Sequence, residues 1–130
     1  MFASHNFRSP LGRAQGLGTA KEGLHHWWAQ RLTALALIPL TVWFVAAVVG
    51  LVGSGFEEFV AWLSAPCNAT AMILFLGVSF HHAQLGLQVV VEDYVGHHGW
   101  RIGTIIVVKF MCYGLAALGI VSSLIVSFGV

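Results

Sequence analysis

Residues 69–91 read ATAMILFLGVSFHHAQLGLQVVV, 23 positions without an Asp, Glu, Lys or Arg, whose strongest polarity is a pair of adjacent histidines and two glutamines. At about 1.5 Å of rise per residue, a helix of this length crosses a hydrocarbon core about 30 Å thick. Residues 32–51 and 102 to about 126 are apolar over comparable lengths. The whole chain has 130 residues, of which 58% are hydrophobic and 8% charged, against roughly a quarter charged in a soluble domain. Such a chain belongs in a bilayer. Backbone groups in lipid find no water, so each span must close its own hydrogen bonds as a helix, and the alternating strands of about ten residues that build a barrel are missing. The expectation is an all-α membrane protein with three transmembrane helices, at about residues 29–52, 67–95 and 101–128, forming a membrane domain over 25–130 behind an N-terminal segment, 1–24.

Basic residues in short loops stay on the cytoplasmic side. Arg8, Arg13, Lys21 and Arg31 precede or open the first span, and Arg101 and Lys109 open the third, whereas the loop between the first two spans holds Glu57 and Glu58 and no cation. This places the N-terminus and residues 92–101 inside and the first loop outside. The first span is too long for the apolar core of a secretory signal, while the Arg- and Ser-bearing, acid-poor start also fits a mitochondrial transit peptide. Cys67 and Cys112 fall in different spans or at their edges, too few for an iron–sulfur cluster, and no C-x-x-C-H haem-attachment motif is present.

Other features read as packing or anchoring. Trp27 and Trp28 suit the headgroup region, and Pro39 is expected to kink the first span. A short apolar stretch, 59–63, is expected to lie flat on the membrane, and Lys109 to snorkel toward headgroups. Gly103, Gly114, Ala116, Ala117 and Gly119 are small residues that let helices approach closely.

The histidines need more explanation, because ionisable groups within a span are costly and usually face a bundle interior, a cofactor or a water path. Each residue turns a helix by about 100°, so His82, Gly86, Val89 and Asp93 share one stripe while His81 points elsewhere. Gly86 leaves space beside the His82 imidazole, enough for a flat macrocycle. Imidazole is a standard axial ligand of haem iron; the alternative is a histidine hydrogen-bonded across helices. A zinc site would need three or four convergent ligands, a spacing absent here. Where the apolar run ends, the Tyr94 hydroxyl can donate to a carbonyl oxygen and the Asp93 carboxylate can orient it or relay protons, as a quinone requires, or the two can simply mark the interface. Arg31, with His25 six residues before it, suits either a propionate or a lipid phosphate.

The pattern H-x-x-x-G-x-Q-x-x-x-x-D-Y, from His82 to Tyr94, resembles that of the hydrophobic membrane anchor (D) subunit of succinate dehydrogenase, respiratory complex II. RAQGLGTAKEGLHHWWAQRLTALALIPL, residues 13–40, is similar to the start of its α-proteobacterial members, with His25 and Arg31 at the family spacing. The resemblance implies a bundle formed with a second, cytochrome b-type anchor (C) subunit around one shared haem b. His82 would be this chain's axial ligand to the haem iron, Arg31 and His25 would lie in the propionate region, and Tyr94 with Asp93 would hold ubiquinone. It also implies iron–sulfur and flavoprotein subunits that oxidise succinate, so this chain alone is not the catalyst but part of a succinate:quinone oxidoreductase of the tricarboxylic acid cycle and respiratory chain. The surroundings are a lipid bilayer, not nucleic acid: the bacterial inner membrane, or the mitochondrial inner membrane in a eukaryote. The anchor of a related fumarate reductase, a small proton pathway using His81, His82, Gln84 and Glu92, and a purely structural subunit are the competing readings.

Overall fold

The structure, a computed structural model, describes residues 19–129. Four helices follow one another: α1 (Thr19–Gly50), α2 (Phe56–Ser64), α3 (Pro66–Tyr94) and α4 (His98–Phe128), and no strand occurs among the described residues. α1 from Gly23 onward, α3 and α4 are each long and apolar enough to cross a membrane, which makes the chain a three-span all-helical protein. α1 starts ten residues before the expected span and runs on through Pro39. Residues 1–18 of the N-terminal segment, with Arg8 and Arg13, lie outside the described residues.

Local chemistry sets the helix ends. Gly53, at φ 82°, takes the left-handed conformation that turns the chain after α1. At the start of α2 the Glu58 carboxylate accepts from the Gly55 backbone N–H, and Glu57 and Glu58 place negative charge at the helix N-terminus. Ala65 is extended, as the residue before a proline must be, and Pro66 opens α3 at a position where no backbone N–H is needed. His97 caps α4, its ring Nδ1 accepting from the Trp100 N–H at 3.5 Å, and Gly129 closes that helix at φ 67°. The Arg101 Nε–H donates to the Val95 carbonyl at 2.9 Å and tightens the α3–α4 corner.

α3 stands between α1 and α4 and packs most extensively on α4. Phe44 of α1 stacks on Phe75 of α3 with centroids 4.4 Å apart, and Trp43 stacks on Trp62 of α2 at 5.7 Å. The expected flat stretch is α2, a helix that contacts α3 and α4 and turns Leu63 into the bundle at 2% exposure while Phe56 stays 75% exposed. The α3–α4 seam is built on Cys112, Ala116 and Gly119, spaced i, i+4, i+7; the Leu76 Cδ1 atom lies 3.2 Å from where a Gly119 Cβ would sit. Gly103, Gly114 and Ala117 face elsewhere: nothing lies within 4 Å of a Cβ built on either glycine, and Ala117 is exposed. Turning by about 100° per residue puts all three on the far side of α4 from the seam, so only part of the small-residue set packs α3 against α4.

Candidate functional site

The two adjacent histidines diverge, as the helical step requires. His82 turns toward α1, where its Nδ1 lies 2.9 Å from the Thr33 Oγ1. The imidazole lines two neighbouring spaces that share Ala34. One, of about 180 Å³, is walled by Trp27, Gln30 and Arg31; the other, of about 380 Å³, by aliphatic side chains including Leu37, Ile38 and Val42. Together they form a groove along one face of α1, apolar over most of its length and cationic at one end, where the Arg31 guanidinium carbon sits 5.5 Å from the Trp27 ring centroid. Nothing lies within 4 Å of a Cβ built on Gly86, one turn along α3 from His82. A histidine presented to an aliphatic groove, open space one turn away and a guanidinium at the end fit a flat, carboxylate-bearing macrocycle such as haem. No group of three or more His, Cys, Asp or Glu converges among the described residues, and of the two histidines on α3 only His82 lines this groove.

His81 faces α4. Its Nδ1 lies 3.2 Å from the Tyr113 hydroxyl, which donates to Gln84 Oε1 at 3.4 Å. Gln84 Nε2 donates to Gln88 Oε1 at 3.1 Å, and Gln88 Nε2 to Glu92 Oε1 at 2.9 Å. This ladder climbs α3 from His81 to Glu92, about 16 Å at about 1.5 Å per residue. It borders a polar cavity of about 550 Å³ that Lys109 and His26 also line. The His26 Nε2 is buried and has no hydrogen-bond partner among the described residues. Lys109 therefore faces this polar cavity from α4.

Asp93 and Tyr94 end α3 about 16 Å along the helix axis from His82. Both are exposed, Tyr94 by 84%, and no hydrogen bond holds either side chain among the described residues. His25 is exposed and lines neither His82 space. The structure thus brings His82, Arg31 and the Gly86 gap to one groove, sets Asp93 and Tyr94 apart at the helix end, and leaves His25 outside. Thr33 and Tyr113 join these arrangements without having been singled out in the sequence, and His26, expected with its neighbours at the headgroup level, lines the α3–α4 cavity instead. A lone threonine near the start of an apolar span was the only signal for Thr33, and its partner is 49 residues away.

Three helices long and apolar enough to cross a membrane, one of them turning a histidine to an open groove, define a small all-helical membrane protein. The chain belongs to the succinate dehydrogenase/fumarate reductase transmembrane subunit family, which matches residues 5–118. Among relatives, the succinate dehydrogenase hydrophobic membrane anchor subunit of Rickettsia conorii is 33% identical over 109 residues, 83% of this chain and 86% of the relative. That of Rickettsia bellii is 34% identical over 106 residues, 82% of this chain and 85% of the relative. The Paracoccus denitrificans subunit is 32% identical over 120 residues, 86% of this chain and 92% of the relative. No solved structure matches the chain.

Proposed function

We propose that this chain is the hydrophobic membrane anchor of a succinate dehydrogenase in the bacterial inner membrane. The family match over residues 5–118 carries the reading, and the three apolar helices agree with it. The chain itself holds no succinate chemistry. It anchors iron–sulfur and flavoprotein subunits, pairs with a second anchor subunit, and helps to form the sites for haem b and ubiquinone. Nothing favours the fumarate reductase alternative.

The distribution of Lys and Arg puts the start of α1, the end of α3 and the start of α4 on the cytoplasmic side. His82 would hold the haem iron through its ring, in a site shared with the partner anchor. The Arg31 guanidinium, at the end of the same groove, would pair with a propionate, and His25 would add to that region from outside the groove. Haem, when bound, would supply a one-electron store. Tyr94 would donate its hydroxyl hydrogen to a quinone carbonyl oxygen, with the Asp93 carboxylate beside it to move protons. Reduction of the quinone to quinol takes two electrons, delivered through the iron–sulfur subunit, and two protons. The exposure of Tyr94 suits a site completed by other subunits.

The test is a reduced-minus-oxidised absorbance spectrum of the purified complex. The b-type band is expected to vanish in His82→Ala and to persist in His81→Ala. A band that survives His82→Ala would remove the ligand assignment. Co-purification without a flavin-bearing subunit would remove the reading as a whole.

A further inference from the structure

We propose that Thr33 is a positioning residue for His82: its hydroxyl fixes the tautomer and rotation of the imidazole and thereby sets the potential of the iron. The inference rests on the reading of His82 as the haem ligand.

The hydrogen bookkeeping around Thr33 Oγ1 carries the argument. A threonine hydroxyl has one hydrogen and two lone pairs. Oγ1 lies 2.7 Å from the Ala29 carbonyl oxygen and 3.1 Å from that of Gln30, and both of these atoms only accept. The single hydrogen therefore goes to the turn of α1 below Thr33, the back-bond that Ser and Thr make inside helices. Oγ1 is left with lone pairs alone for its third neighbour, the His82 Nδ1 at 2.9 Å. Nδ1 must then carry a hydrogen and donate it. The opposite tautomer would set two lone pairs against each other unless the threonine hydrogen left its helix carbonyl. A neutral imidazole protonated on Nδ1 has its lone pair on Nε2, the nitrogen available to iron.

The contact also fixes direction. Thr33 is β-branched and doubly bonded to its own helix, so its oxygen is a stationary acceptor. His82 is pinned at one ring corner to α1, beside the groove lined by Ala34, Leu37 and Ile38. Metal-bound histidines are commonly oriented through their second nitrogen in this way, and donation from Nδ1 makes the ring a stronger ligand to the more positive metal. Loss of the acceptor should weaken ferric binding relative to ferrous.

Thr33→Val keeps the branched shape and removes the hydroxyl; Thr33→Ser keeps the hydroxyl. In the assembled, purified complex, Thr33→Val is expected to weaken ferric over ferrous ligation about tenfold, a rise of about 59 mV in the one-electron midpoint potential, with altered g-values of the ferric haem. Thr33→Ser is expected to restore both. Loss of haem from the valine variant with retention in the serine variant would equally support the assignment. A valine variant with wild-type potential and g-values would overturn it, as would equal shifts, or equal haem loss, in both variants. A haem band that survives His82→Ala would instead refute the ligand reading, a failure visible without any Thr33 variant.

Discussion

A one-residue step separates two histidines with different surroundings. His82 meets a hydroxyl of α1 and an aliphatic groove; His81 meets a phenol of α4 and a ladder of amides. The spacing of His82 to Gly86 was legible in sequence because both lie within one helix, a turn apart. Thr33 and Tyr113 were not, since their partners are 49 and 32 residues distant and only the packed helices bring them together. Gln84 was legible as polar and as a relay candidate with His81 and Glu92, but its 2% exposure and its link through Gln88 were not. The Tyr113 hydroxyl joins His81 to Gln84, so Tyr113→Phe would leave a ring nitrogen and an amide oxygen without that partner. The loss is expected to be about 1 kcal/mol, since hydrogen bonds within membranes contribute about 0.6 kcal/mol on average and an unsatisfied buried group costs about 1–3 kcal/mol. A lower thermal midpoint of the purified complex with unchanged haem absorbance would show it. At the far end of α3, Tyr94→Phe is expected to impair quinone reduction while sparing succinate oxidation by an artificial soluble acceptor. Equal loss of both activities would point to failed assembly.

Among the elements, the three spans were readable from length and hydropathy, because only helices and closed barrels satisfy a backbone in lipid and the alternation of barrel strands is missing. Their edges were less so. α1 begins at Thr19, in a polar stretch where hydropathy gives no signal, and α2 forms where only a flat apolar patch was expected. Composition named the small residues of α4 but could not give their phase relative to α3. Phase is what separates Gly119, against Leu76, from Gly114, which has open space beside it. Gly119→Val would push branched bulk into the Leu76 contact and is expected to cost about 1–3 kcal/mol, as overpacking does. Thermal unfolding of the complex measures it, and an unchanged midpoint would mean that the seam yields freely.

For the molecule as a whole, little side-chain surface is buried among the described residues. Ile38 and Val42 of α1 and Phe110 and Leu118 of α4 are all exposed, Phe110 by 77%. Faces this apolar suit lipid and a partner anchor far better than water. The proposed orientation puts Cys67, exposed at the start of α3, on the outer side, and leaves Cys112 buried in the α3–α4 seam. A membrane-impermeant maleimide is expected to label Cys67 in spheroplasts and not in inverted vesicles, with Cys112 unlabelled in either. Labelling of Cys67 only in inverted vesicles would reverse the topology.

The Thr33–His82 contact also sets a timetable. Its two ends are 49 residues apart, a gap of about 2–10 s during synthesis at about 5–20 residues per second. Over that interval α1 has been made and its eventual partner on α3 has not. Thr33 can wait in the bilayer because its hydrogen already belongs to its own helix, at the Ala29 carbonyl. The nascent first span thus carries an acceptor that needs no chaperoning, and the imidazole, on arrival, finds it already aimed.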